Sequence, residues 1–201
     1  MMATRLKIGP ADHGRELSED EAELAEYEEG YCYEHIDGRI EVAPAGGLSE
    51  GFIESWVFER LQAYGRTRPD VFRYMHSKAR IFVPGRKRPT RPEPDVTLFS
   101  NHPADFEHAE RHWENLIPIL TVEILVHGDP EKDLVRNVEL YWQVPSILEY
   151  WIVDGRGHPD EPTLITRRRG TKRWIVAEVP FGEIYTSPVL PGFELIVDPK
   201  R

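Results

Sequence analysis

A nearly continuous apolar stretch at residues 119–126, ILTVEILV, constrains the fold of this chain more than any other feature. An eight-residue run with so little polarity is typical of a central strand that is covered on both faces. The run contains one acid, Glu123, whose ionised carboxylate would cost several kcal/mol to bury without a partner. The sequence therefore predicts a buried strand whose acid meets a cation, a basic side chain or a proton.

A second acid begins another short predicted strand. Residues 94–99 read PDVTLF, so Asp95 lies at the start of a strand about two dozen residues before the apolar run. If the two strands are neighbours, their backbones lie about 4.8 Å apart, and two carboxylates that close repel each other unless a divalent metal or a shared proton separates them. A salt bridge from Glu123 to Arg136 or Lys78 is the alternative, because buried ion pairs also occur in proteins. The chemistry alone leaves both interpretations open.

The signals around these strands predict an α/β fold, a mixed sheet flanked by helices. A capping box at Ser18 opens a short acidic helix that we expect to run to about Glu29, and residues 31–44 form a hairpin through Asp37-Gly38. Further helices are expected at residues 49–64, 103–115 and 130–143, and further strands at 71–76, 78–84 and 147–153. We expect a single domain over residues 18–201, preceded by a flexible tail at residues 1–17 that shows no apolar period.

The composition is that of a globular protein. The chain has 201 residues, of which 40% are hydrophobic and 30% charged, and this length can bury a core without cross-links. Its single cysteine, Cys32, cannot form an intramolecular disulfide. No window approaches the roughly 20 apolar residues of a membrane span, and the first residues lack the apolar core of a signal peptide. These features predict a cytoplasmic location and no membrane partner.

Charge is distributed unevenly along the chain. The net charge is −10, yet nine basic residues and one acid lie between Arg66 and Arg91, whereas fourteen acids and one base lie between Glu16 and Glu59. Such asymmetry could present one positive face to a phosphate backbone while the whole molecule stays acidic. Two solvated hairpins without a partner also explain the charges, and charge alone favours that second interpretation.

Five segments in a fixed order resemble the Uma-two family. PDVTLF and LTVEIL are followed by DLVRNVELYWQVPSILEYWIVD, and the similarity extends upstream to YEHIDGRIEVAP and downstream to SPVLPGFEL, over most of residues 20–196. Members of this family are assigned as restriction endonucleases of the PD-(D/E)XK superfamily. The resemblance implies a restriction-endonuclease-like core and a metal-dependent endonuclease that hydrolyses phosphodiester bonds of DNA. Because nucleases that cut both strands are usually dimers, it leaves a homodimer open.

The resemblance also implies roles for individual residues. Asp95 matches the aspartate of the PD motif and Glu123 the acid of the (D/E)XK motif, so both would bind Mg²⁺ or Mn²⁺, with the Ile124 carbonyl as a third ligand. Glu34 matches the acid of the first hairpin, which can join the metal site. The bases expected to contact substrate phosphate are Lys78, Arg80, Lys132 and Arg136.

One position departs from the family pattern. The superfamily lysine would fall at Leu125, and the family usually places it in the following helix, one turn after the aspartate of a DxxxK pattern. This chain has Asp133 at that aspartate and Asn137 at the corresponding catalytic position. On a regular helix, Lys132 and Arg136 would project in other directions. The alternative to an enzyme is therefore a catalytically impaired binding or regulatory module of the same fold. A lysine amine in the cleft between Asp95 and Glu123 would favour the enzyme, and an empty cleft would favour the module.

A remote alternative is a serine hydrolase. Residues 47–51 match the G-x-S-x-G pattern with Ser49 as nucleophile, and His127 and His158 lie downstream as that class of enzyme requires. The residues between the preceding strand and Ser49 make the turn too long for a nucleophile elbow. A glycine-rich loop with a serine at the start of a helix is the favoured interpretation.

Overall fold

The computed structural model describes residues 6–201, and its elements lie in the following chain order. They are β1 (Lys7–Ile8), α1 (Glu19–Leu24), β2 (Glu26–Tyr27), β3 (Tyr31–Ile36), β4 (Arg39–Pro44), α2 (Leu48–Thr67), β5 (Tyr74–His76), β6 (Val96–Phe99), β7 (Pro118–Leu125), α3 (Asn137–Trp142), β8 (Glu149–Asp154), β9 (Thr163–Arg169), β10 (Trp174–Val179), β11 (Ile184–Thr186) and β12 (Glu194–Ile196). A π-helical turn, Lys132–Arg136, leads directly into α3.

A six-stranded mixed sheet in the order β10-β9-β8-β7-β6-β5 forms the centre of the molecule. Within this sheet only β7 and β8 are parallel, and their connection carries α3. The apolar run forms β7, which has neighbours on both sides and is buried along nearly its whole length. The predicted mixed sheet flanked by helices is therefore confirmed. Within residues 6–201, no helix is both long and apolar enough to cross a membrane.

The two faces of the sheet are covered by different helices. On one face, Ile53 and Val57 of α2 belong to the same core as Val122 of β7. On the other face, Tyr141 of α3 packs in a second core with Leu125 of β7. Because side chains alternate along a strand, Glu123 points to the α3 face, the same face as Leu125.

The hairpin β3–β4 forms as the Asp37-Gly38 turn predicts. Both turn residues have positive φ, 50° at Asp37 and 77° at Gly38, as a two-residue hairpin turn whose twist matches its strands requires. The capping box at Ser18 is also present, and α1 ends at Leu24. Near this hairpin, Ile8 and Ile40 contribute to a small third core.

The first residues differ from the expected flexible tail over residues 1–17. Residues 1–5 lie outside the described part of the chain, but from residue 6 onward the segment is ordered. Lys7–Ile8 pairs with Glu26–Tyr27, and the side chains of Ile8 and Leu17 are buried. These two apolar residues are nine positions apart with no regular period between them, so the sequence pattern did not reveal them.

Two predicted elements are wrong. The helix expected at residues 103–115 is three short 3-10 turns (Pro103–Asp105, His108–Glu110 and Trp113–Asn115), because this segment has no continuous apolar stripe to bury. Residues 78–84 form no strand. They run beside residues 90–94, where the N–H of Ile81 donates to the Pro92 carbonyl, but prolines there cannot donate in return.

Candidate active site

Strands β6 and β7 bring the two predicted acids side by side. Val96 pairs with Val122 in an antiparallel register, so Asp95 and Glu123 are the next residues opposite each other. Both side chains are buried, with 4% of Asp95 and 1% of Glu123 exposed. Oδ2 of Asp95 accepts a hydrogen bond from the Ile124 amide at 2.6 Å, which fixes the Asp95 carboxylate against β7. The adjacency expected from the sequence is present.

Two side chains of helix α3 form hydrogen bonds with Glu123. Oε1 of Glu123 accepts hydrogen bonds from Nδ2 of Asn137 and from the Tyr141 hydroxyl, each at 2.8 Å. Burial raises the pKa of Glu123 well above its usual range, although the ammonium of Lys132 opposes the shift. Asn137 thus fixes the carboxylate of Glu123 at the position where the family pattern has a lysine.

Two lysine amines reach these carboxylates. Lys78 forms an ion pair with Oδ1 of Asp95, and Nζ of Lys132 lies 3.9 Å from Oε2 of Glu123. Burial disfavours both ammonium groups, but the facing carboxylates, Asp95 for Lys78 and Glu123 for Lys132, prevail and raise both pKa values. Lys78 has a φ of 54°, a left-handed conformation that is uncommon for residues other than glycine and that often marks a functional site.

The position of Lys132 differs from the one that a regular helix predicts. The amide of Asn137 donates to the Lys132 carbonyl, five residues earlier, so a π-helical turn replaces the regular spacing. Lys132 consequently lies one turn above Asn137, and its Nζ is 3.6 Å from Oε1 of Glu34 and 3.8 Å from Oδ1 of Asp133. The expectation that Lys132 projects away from the site is wrong.

Asp133 is a further buried acid beside this cluster, and it was not among the predicted site residues. Nδ2 of Asn137 donates to Oδ1 of Asp133 at 3.1 Å. Burial raises the pKa of Asp133 to about 6, with Lys132 opposing the shift. Its position four residues before Asn137, on the same side of a helix, is the sequence signal that could have identified it. We call the group Glu34, Asp95, Glu123 and Asp133 the carboxylate cleft.

Arg136 joins the first hairpin to the cleft. It forms ion pairs with Glu34 and Glu41 of the hairpin, and its Nε donates to Oδ1 of Asn137 at 3.0 Å. Glu34 also accepts from the Glu93 amide at 3.0 Å. The salt bridge considered from Glu123 to Arg136 or Lys78 does not form, since those bases bind other acids.

The basic segment at residues 78–91 is largely neutralised. Nε of Arg80 lies 2.9 Å from Glu93, and NH1 of Arg88 lies 2.8 Å from Glu16. Arg86 and Arg91 are paired in the same way, with Asp37 and Glu19. Arginines of the basic segment therefore bind acids of the acidic segment at residues 16–59. Neither the phosphate-binding face nor the two solvated hairpins anticipated this contact. Arg80, predicted to contact phosphate, faces Glu93.

The residues of the cleft fit a hard divalent cation. The cleft combines four carboxyl groups with three cations, a formal excess of one negative charge when all four acids are ionised: Glu34, Asp95, Glu123 and Asp133 against Lys78, Lys132 and Arg136. Within residues 6–201, no three or more His, Cys, Asp or Glu side chains are grouped to hold a metal. Mg²⁺ is commonly bound by one or two carboxylates plus waters and substrate phosphate, and Asp95 and Glu123 supply that number.

Ser49 does not lie on a nucleophile elbow. It is an exposed residue inside the first turn of α2, which begins at Leu48 with Gly47 at the cap position. Strand β4 ends at Pro44, so three residues separate it from the helix, whereas the elbow is a sharp strand-to-helix turn. Among the described residues, no histidine donates to or accepts from Ser49.

A known structure shares this architecture. The crystal structure of "a putative nuclease belonging to DUF820 from Anabaena variabilis ATCC 29413" is similar to this chain, with a TM-score of 0.67 at 19% sequence identity. The similarity covers 90% of this chain and 95% of that chain. At this identity the comparison shows the fold, which is restriction-endonuclease-like.

Comparison with protein families assigns the chain. No curated protein matches it. A family model described as "Uma2: Putative restriction endonuclease" matches residues 20–198, a range that includes every residue of the carboxylate cleft. The chain therefore belongs to the Uma2 family.

Proposed function

We propose that this protein is a metal-dependent endonuclease that hydrolyses phosphodiester bonds of DNA. Its family and its nuclease-like fold support a nuclease acting on nucleic acid. The observation that carries the proposal is the carboxylate cleft itself, in which two adjacent buried acids, Asp95 and Glu123, face two lysine amines. This combination of oxygen ligands and protonated bases is what phosphodiester hydrolysis uses: ligands for a cation and positive charge for the phosphate.

Asp95 and Glu123 are the ligands we assign to Mg²⁺ or Mn²⁺, with the Ile124 carbonyl as a further oxygen. When bound, the cation polarises the scissile phosphate and lowers the pKa of a water molecule. The hydrogen bonds from Asn137 and Tyr141 to Oε1 of Glu123 leave Oε2 directed toward Lys132, so α3 orients the carboxylate and leaves its second oxygen for a cation.

Lys132 supplies the positive charge that Asn137 cannot. Its ammonium faces Glu34, Glu123 and Asp133 within 4 Å, and its raised pKa keeps it protonated. It can therefore donate to a non-bridging phosphate oxygen and stabilise the negative charge that develops there. Lys78 offers a second such donor at the Asp95 side, and Arg136 holds Glu34 in place rather than contacting substrate.

A binding module without catalysis is the second candidate, and Asn137 favours it. The ion pair of Lys78 with Asp95 already neutralises one acid without any metal. In a module of this kind, the same lysines would bind the phosphate backbone, and no phosphodiester would be cleaved. The two candidates differ in whether the cleft takes up a divalent cation.

Calorimetric titration with Mg²⁺ and Mn²⁺ tests the proposal. We expect saturable binding to the wild type, retained in the exposed-site control Glu59→Ala and abolished in Asp95→Ala/Glu123→Ala. Nicking of supercoiled DNA, with RNA as the competing polymer, should follow the same pattern. Absence of metal binding to the wild type, even with a phosphodiester present, contradicts the enzyme. Metal-independent DNA binding without cleavage establishes the binding module.

A further inference from the structure

Strand β10 ends the central sheet and carries apolar side chains into solvent. It pairs with β9 on one side only, and Ile175 and Val176 are each 49% exposed. These two neighbours point to opposite faces of the sheet, so the middle of the strand is exposed on both faces. Natural proteins usually shorten, charge or cover such edges, because an exposed apolar edge pairs readily with another chain.

More exposed apolar residues follow the strand in the chain. Phe181 and Ile184 are 40% and 56% exposed. Among residues 6–201, ten large apolar side chains are exposed, and four of them lie in the ten residues from 175 to 184. This stretch of the chain is therefore rich in exposed apolar side chains, and exposed apolar surface is what interaction sites use.

The backbone geometry of β10 fixes which residues could pair with another strand. The amide of Gly170 donates to the Arg173 carbonyl and closes the β9–β10 hairpin. Because hydrogen-bonded and non-hydrogen-bonded pairs alternate along an antiparallel ladder, residues 174, 176 and 178 direct their N–H and C=O groups away from β9. These outward groups are evenly placed about Val176.

We propose that two copies of this chain associate by antiparallel pairing of their β10 strands, with Val176 at the two-fold axis. In this register Val176 faces Val176 of the second copy, Trp174 faces Glu178, and Ile175 faces Ala177. Every outward N–H and C=O from 174 to 178 then finds a partner, as a symmetric interface requires. The two six-stranded sheets become one continuous sheet.

Charge complementarity indicates that the strand pairing with β10 belongs to a second copy of this chain. The start of β10 is basic, with Lys172 and Arg173, and its end is acidic, with Glu178. Antiparallel pairing places the basic start of one strand beside the acidic end of the other, and parallel pairing would place like charges together. Neither Lys172 nor Arg173 has an ion-pair partner within the described part of the chain. The dimer is independent of the proposed nuclease activity.

Cysteine cross-linking tests the register directly. In a Cys32→Ser background, Val176→Cys would bring two cysteines to a Cα separation of about 5.5 Å, within the range of a disulfide. Glu178→Cys, two residues away, would leave its two cysteines about 14 Å apart, four residues of offset along the ladder. We expect oxidation to give a covalent dimer of Val176→Cys and none of Glu178→Cys. Equal cross-linking of both variants, or of neither, would overturn the pairing.

Sedimentation of the protein without added cysteines tests the association itself. We expect the wild type to sediment as a dimer and Val176→Lys, which sets two ammonium groups opposite each other at the axis, to dissociate at least tenfold more readily. Leu24→Lys, which charges another exposed apolar residue, serves as the matched control and should remain dimeric. Circular dichroism confirms that each variant is folded. A wild type that stays monomeric at high concentration refutes the proposal.

Discussion

Replacing Lys132 by methionine removes an ammonium group that lies within ion-pair distance of three carboxylates. Its Nζ lies 3.6 Å from Glu34, 3.9 Å from Glu123 and 3.8 Å from Asp133. Breaking a buried ion pair from one side typically costs about 3–5 kcal/mol, because the remaining charge loses its partner. The Lys132 side chain is 32% exposed, so water screens part of the loss and we expect the lower end, about 3 kcal/mol.

This loss should be visible as a shift in thermal unfolding. For a chain of this size, 1 kcal/mol changes Tm by about 2–4 °C, so Lys132→Met should lower Tm by roughly 6–12 °C without metal. Mg²⁺ at about one hundred times its Kd adds about 2.7 kcal/mol to a protein that binds it only when folded. Because the variant has one more uncompensated acid, Mg²⁺ should bind it more tightly than the wild type and recover most of the lost stability.

Two controls separate charge from packing. Lys132→Arg keeps the positive charge and should lose much less stability. Lys200→Met removes an exposed ion pair with Asp160, which is worth at most about 1 kcal/mol. DNA nicking by Lys132→Met should fall even where Mg²⁺ restores its stability. If Lys132→Met has the same Tm as the wild type in the absence of metal, the role assigned to Lys132 is refuted. If the Tm of neither protein responds to Mg²⁺, only the metal site is refuted.

Three further substitutions, one of them with a matched control, test the packing around the site and the sheet. Tyr141→Phe removes a hydrogen bond to Glu123 and should cost about 1.5–3 kcal/mol in urea unfolding when Mg²⁺ keeps that carboxylate ionised, and about 1 kcal/mol otherwise. Burial raises the pKa of the Glu149 carboxyl in the folded protein above its value in the unfolded chain. The free energy of unfolding therefore falls as pH rises from the unfolded-state pKa through the folded-state pKa, and Glu149→Gln should flatten this decline. Gly65→Ala would place a Cβ 2.4 Å from a buried phenylalanine ring and should destabilise the folded protein by about 1–3 kcal/mol. Its control, Gly51→Ala, has open space around the new Cβ and should stabilise the folded protein by up to about 1 kcal/mol.

The sequence predicted those parts of the fold in which local chemistry and tertiary packing agree. The apolar run of β7 could only be a covered strand, and Asp37-Gly38 specifies a hairpin turn through its backbone conformation alone. Residues 103–115 failed because their charged side chains allow a helix but give it no apolar face to bury. Residues 78–84 failed because the segment they contact contains prolines, a property of a different part of the chain.

The candidate site shows the same division. Asp95 and Glu123 could be placed side by side because adjacent strands impose the distance, but the partners of the basic segment depend on how the first hairpin folds against it. Fourteen acids and nine bases in two separate segments of the sequence look like two surfaces of opposite sign. In the folded chain, Arg86 and Arg88 of the basic segment bind Asp37 and Glu16 of the acidic one, so part of the asymmetry describes an internal contact.

Lys132 shows why one irregular turn can decide whether an active site looks complete. On a regular helix, residues five apart lie well away from each other around the axis, and Asn137 then leaves the cleft without a base. A π-helical turn widens the spacing to five residues, so Lys132 and Asn137 share one side. The side-chain amide of Asn137 orients the Glu123 carboxylate, and the Lys132 amine one turn away places a positive charge near it. We propose that Lys132, five positions before Asn137, takes the role of the lysine that the motif lacks, provided the turn stays π-helical. Deleting one residue between Lys132 and Asn137 would restore the regular period and should remove nicking together with the Lys132 contacts.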